Sequence, residues 1–84
     1  MAQITAGWRF VAIVVENRPL SLDGMNPWDL EWHRIEATSI TVAHPQYPSQ
    51  RHPMWQYELR DKGRIVRFAA GEFSANVWGF YVPV

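Results

Sequence analysis

The sequence contains no cysteine. That excludes disulfides, thiolate-bound zinc, iron–sulfur clusters and cysteine nucleophiles together. Small secreted domains generally depend on such staples, so a cytoplasmic location is expected. Net charge is missing too, because eight Lys and Arg offset eight Asp and Glu. Binding to a polyanion by counterion release needs clustered cations, so nucleic acid is not the expected main partner. Lysine is nearly absent, Lys62 being the only one. The longest apolar run, Phe10 to Val15, is too short to span a bilayer and lies between Arg9 and Glu16. No basic leader precedes it, so neither a signal peptide nor a membrane partner is expected. The glycines are few and isolated, which excludes a dinucleotide fingerprint and a phosphate loop. There is no H-E-x-x-H pair, acidic EF-hand loop or G-x-S-x-G elbow. Asn17, Asn26 and Asn76 lack the downstream Ser or Thr of a glycosylation site.

What remains is a chain of 84 residues and 9.8 kDa, 48% hydrophobic. A folded chain of this mass exposes roughly 5,200 Å², against roughly 14,000 Å² unfolded. One core can form, so residues 1–84 are expected to make a single compact domain. A separate cofactor domain does not fit, and no cofactor is expected.

Hydrophobic patterning points to strands. Trp8 to Glu16 is β-branched and aromatic, with Trp8, Phe10, Ala12 and Val14 on one face and Val11, Ile13 and Val15 on the other. A strand apolar on both faces is central or lies at a subunit interface. Asn17 to Pro27 reads as a loop through Pro19, Asp23-Gly24 and Asn26-Pro27. Asn26 then caps a short helix, with Pro27 first and Asp29 in the first turn. On such a helix Trp28, Trp32 and Ile35 share a face. The competing reading is a strand from Leu30 to Ala43.

Ala43 to Pro53 reads as a proline-stiffened loop. Trp55 to Ala70 is the clearest local unit, a hairpin with Lys62-Gly63 at its tip. Its register sets Arg60 opposite Ile65, Leu59 opposite Val66, Tyr57 opposite Phe68, and Glu58 opposite Arg67 as a salt-bridge pair. Gly71 to Asn76 reads as a second turn and Val77 to Val82 as a last strand. Gly79 in that strand predicts an aromatic ring lying over it. The fold class is mainly β: a curled antiparallel sheet or partly open barrel of four to five strands, with at most one short helix near residues 27–36.

The most chemically mixed segment is His44 to His52. Stiff loops lose little entropy on binding, and loops on a rigid scaffold often carry function. His44, Tyr47, Arg51 and His52, with Trp55 as an anchor beside them, are the candidate partner or ligand site. If the loop folds back, His44 and His52 approach each other, but two histidines without a spaced third ligand do not specify a metal. The hairpin residues Arg60, Lys62, Arg64 and Arg67 are candidate nucleic-acid contacts, or simply a solvated end kept charged against aggregation. Five Trp, four Phe and three Tyr exceed what so small a core obviously needs. Trp78, Phe80 and Val82 are therefore candidates for a dimer interface. Asp29, Glu31, Glu36 and Glu72 show no spacing that pairs them for acid–base work. The expected function is a non-enzymatic protein-interaction or oligomerisation module, with a second copy or another protein as the expected partner. Single-strand nucleic-acid binding through the hairpin tip is the alternative. A small metal- or ligand-dependent enzyme using His44 and His52 is the third.

Overall fold

Strands of alternating apolar residues joined by short turns dominate the computed structural model, which describes residues 4–5, 7–35 and 37–84. They are β1 (Ile4–Thr5), β2 (Trp8–Val15), β3 (His33–Arg34), β4 (Ile40–Ala43), β5 (Arg51–Asp61), β6 (Arg64–Ser74) and β7 (Val77–Pro83). Every pairing is antiparallel, in the order β1-β2-β7-β6-β5-β3, and β4 joins the same edge of β5 that β3 uses. The sheet does not close into a barrel. The mainly β, curled class expected from the sequence is the one found. The strand number is larger because β1 and β3, two residues each, carry too little pattern to be read.

The β5–β6 hairpin has the expected register in full. Lys62 and Gly63 both take positive φ, 50° and 80°, as a two-residue turn that matches strand twist requires. The hairpin is longer than read. Arg51–Pro53 already belong to β5, Pro53 opposite Thr41, and Gly71–Ser74 belong to β6. Glu58 does lie opposite Arg67, yet its carboxylate takes Arg60 at 2.7 Å, while Arg67 donates to Gln56. Neighbours two apart on one strand face reach each other as readily as a cross-strand partner.

Residues 17–32 behave differently from the helical reading. Asn26 caps as expected, its Oδ1 accepting from Trp28 N at 3.2 Å, but the helix is a single 3₁₀ turn, Pro27–Asp29. Leu30 is already extended (φ −127°, ψ 160°), and Ile35 N donates to Gln56 O as the chain joins β5. A helix that short gains few internal bonds, and the open edge of β5 offers more. The strand reading for Leu30 to Ala43 holds as two pieces, β3 and β4.

The sheet buries both faces. On one, Leu59, Val66, Phe68, Ala70 and Phe80 are covered by Leu22, Met25, Trp28 and Trp32 from the 17–32 loop. On the other, Trp8, Val42, Met54, Ala69 and Tyr81 pack together. In a flat sheet β4 and β7 would stand about 14 Å apart. Tyr81 Oη nevertheless reaches Ala43 O at 3.4 Å, so β4 curls over β7. The alternation expected along β2 is broken by a bulge at Val11, because Phe10 pairs with Tyr81 and Ala12 with Phe80. Trp8 and Phe10 thus face the second core while Val11 and Val14 face the first. β2 is also not central: among the described residues β1 flanks only Trp8 and Arg9.

A second bulge, at Phe73, lets that ring lie over Gly79 as the glycine predicted. A Cβ at Gly79 would stand 2.6 Å from Phe73 Cε2 and Cζ. Gly79→Ala is expected to cost about 1–3 kcal/mol, read from urea midpoints, and most of that cost should vanish in a Phe73→Ala background. Burial raises the Tyr81 hydroxyl above its ordinary pKa of 10.0. The folded chain then holds this proton more tightly than the unfolded chain. Its contribution is fully present below pH 10 and is lost as pH rises through the raised value. Stability measured above about pH 10 should therefore fall less steeply in Tyr81→Phe than in wild type.

Candidate functional site

The turn from β4 into β5 is built around His44. Its backbone N–H donates to Gln50 O at 3.1 Å, its carbonyl accepts from Tyr47 N at 3.2 Å, and Gln50 N donates to Tyr47 O at 2.8 Å. Its ring adds a further clasp, with Nδ1 accepting from Gln46 N at 3.0 Å and from Tyr47 N at 3.3 Å. The two donors are backbone amides, which cannot accept, so Nδ1 carries no proton and the neutral ring holds its proton on Nε2. His44 is buried, at 8% exposure.

The loop does fold back. The rings of His44 and His52 lie 5.8 Å apart, and Phe73 from β6 packs on both, at 4.5 and 4.8 Å. His52 Nε2 pairs with Gln50 Oε1 at 3.2 Å. Tyr47 rests against His44 at 5.0 Å but leaves 57% of itself exposed. Arg51 is exposed at the start of β5. Trp55 is not beside this group. Three residues past His52 on a strand, it points to the other face, where Arg34 stacks over it at 4.1 Å. Phe73 is the member that sequence reasoning missed. Gly79 signalled that some ring would lie there, but only the bulge selects which one.

With Nδ1 engaged, His44 could offer a metal only Nε2. No cluster of three or more His, Cys, Asp or Glu side chains suited to a metal forms among the described residues. Asp29 accepts from Asn26, Glu31 lies 3.8 Å from His33, and Glu72 is exposed opposite Trp78. Glu36 lies outside the described residues. No pocket opens among the described residues, and no helix there is long and apolar enough to cross a membrane.

The other candidates separate by burial. Phe80 is fully buried beneath Trp28 and Trp32. Trp78 packs on the same two rings and donates from Nε1 to Glu16 at 2.9 Å. Val82 is half-buried on that face. The chain's own loop thus covers Phe80 and packs on Trp78, while Trp78 and Val82 keep part of their surface exposed. At the hairpin tip Arg60 is paired to Glu58, and Arg64 bonds Asp23 through both its carbonyl and its carboxylate. Arg67 binds an amide, and Lys62 is exposed at the turn. Two of the four proposed phosphate contacts therefore already have carboxylate partners within the chain.

No family model, curated protein or solved structure matches the chain.

Truncating Trp78 to Ala is expected to lower stability by about 3 kcal/mol, measured by denaturant unfolding, and to leave the mass in solution as it is in wild type.

Proposed function

We propose that the protein is a non-enzymatic interaction module that self-associates by extending its sheet along β2. The observation that carries this is the position of β2. It is apolar on both faces, yet from Phe10 onward its outer edge meets no other strand among the described residues. Exposed edges are usually blunted by lysine, proline or a bulge. Here neither lysine nor proline occurs between Phe10 and Val15, and the bulge at Val11 leaves Ala12–Val15 as the regular part. Val15 is 51% exposed there. Two copies related by a two-fold axis would pair these segments antiparallel, each presenting the same patch. Zero net charge leaves no overall repulsion to overcome. A cysteine-free chain of this size suits a reducing compartment, and we place the module in the cytoplasm.

Light scattering on a size-exclusion column tests the reading. Wild type should run as a dimer at both low and high salt. Val15→Lys should run as a monomer that still unfolds cooperatively, its melting temperature lower only by what association contributes, since its side chain already meets solvent within the chain. A wild-type monomer at high concentration, or a Val15→Lys dimer, would overturn the proposal.

A further inference from the structure

We propose that His44 is a pH-sensitive clasp that holds the Tyr47 turn closed when neutral and releases it when protonated. Nδ1 accepts two backbone N–H groups, from Gln46 and Tyr47. A second proton on the ring must sit on Nδ1, because Nε2 already has one. It turns the acceptor into a donor aimed at two donors, and both bonds are lost. The cation would also sit in a site with only 8% exposure, where an unpaired charge is disfavoured. Opening the turn is the relief that the geometry offers, since it hydrates the ring and frees both amides.

The groups facing His44 do not counter this. On its own turn the neighbour is Tyr47, packed on the ring face. From β5 come His52, 5.8 Å away, and Arg51, opposite Ala43. From β6 comes Phe73, which carries no charge. From β7 the hydroxyl of Tyr81 is directed at Ala43 O. No ion pair among the described residues reaches His44. A charged His52 or Arg51 repels an imidazolium at His44 and adds to the opening. Since Tyr47 is the exposed aromatic on this turn, the device would withdraw a rigid contact surface on acidification. The clasp does not depend on association through β2.

Amide hydrogen exchange by NMR from about pH 7.5 to about pH 5, the interval in which histidine charge commonly changes, tests the clasp directly. In wild type the protection factors of Gln46 and Tyr47 should fall about tenfold, while those in the β5–β6 hairpin hold. His44→Asn places an amide oxygen where Nδ1 was and does not titrate, so its turn should stay protected throughout. His52→Gln should still open, its fall in protection no larger than that of wild type. The proposal fails if wild type keeps its protection at pH 5. It fails equally if His44→Asn opens like wild type, or if His52→Gln abolishes the transition. Should His44→Asn not fold, the ring ¹⁵N shifts of wild type decide. Nδ1 must be unprotonated at the upper pH and gain its proton over the interval in which protection is lost, and protonation without loss would sink the idea. Mass measured in the same samples reports separately on the β2 contact.

Discussion

Trp32 lies against the rings of Trp28, Tyr57, Phe68, Trp78 and Phe80, and the rest of the fold depends on that wedge. The loop that carries it has only one 3₁₀ turn and a two-residue bridge, Leu22–Met25, to hold its own shape. It stays on the sheet because its indoles pack against ring side chains of strands β5, β6 and β7. Trp32 also donates from Nε1 to Pro27 O at 2.7 Å, closing the loop on itself where it is most deeply packed. The adjacent Trp28 Nε1 is buried without a partner. Several edge-to-face ring contacts around it offset part of that cost.

Covering one face with aromatics from a loop leaves the other face to be covered by curl. β5 and β6 are long enough to bend, and β4 rides on the bent end to bring Val42 over Tyr81 and Met54. Gly71 marks how close the layers come, because a Cβ there would collide with Pro53 O and lie 2.7 Å from Met54 Sδ. The accessible surface of 5239 Å² is close to the roughly 5,200 Å² expected for a compact chain of this mass. The aromatic surplus is therefore mostly absorbed inside the chain. Among the described residues the large hydrophobic side chains left outside are Val15, Tyr47, Ile65 and Val84.

Features written in short-range pattern were legible. The β5–β6 register followed from alternation and from Lys62-Gly63, and the Asn26 cap from a side chain and a proline side by side. Features decided by distant pairing were not. Nothing local distinguishes a nine-residue alternating strand from one with an extra residue at Val11, so the sequence alone implies regular faces for β2. Nor does helical spacing of Trp28 and Trp32 separate a helix from an extended loop whose indoles meet, since the rings lie 5.3 Å apart in the latter as well. At the candidate site, the approach of His44 and His52 was readable as a consequence of the loop folding back. The side of the strand taken by Trp55 follows simple alternation from His52 once Arg51–Pro53 are known to belong to β5. Phe73 required knowing the bulge.

The pairing of β2 with β7 joins Trp8 to Pro83, the two ends of the sequence. Strands β4 to β7 connect in succession through short turns and can zip locally, whereas β2 must wait for the longest loop in the chain to close. By loop-closure cost alone, the pairing of β2, whose outer edge carries no strand beyond Arg9 among the described residues, is the most expensive in the sheet to form. A chain in which that pairing had not formed would present an apolar ribbon, and at high chain concentration another molecule's β7 would compete with its own. Exchange of β2 between molecules would give the same contacts in each half of the product, with the exposed residues 16–19, ahead of the packed part of the loop, as its hinge.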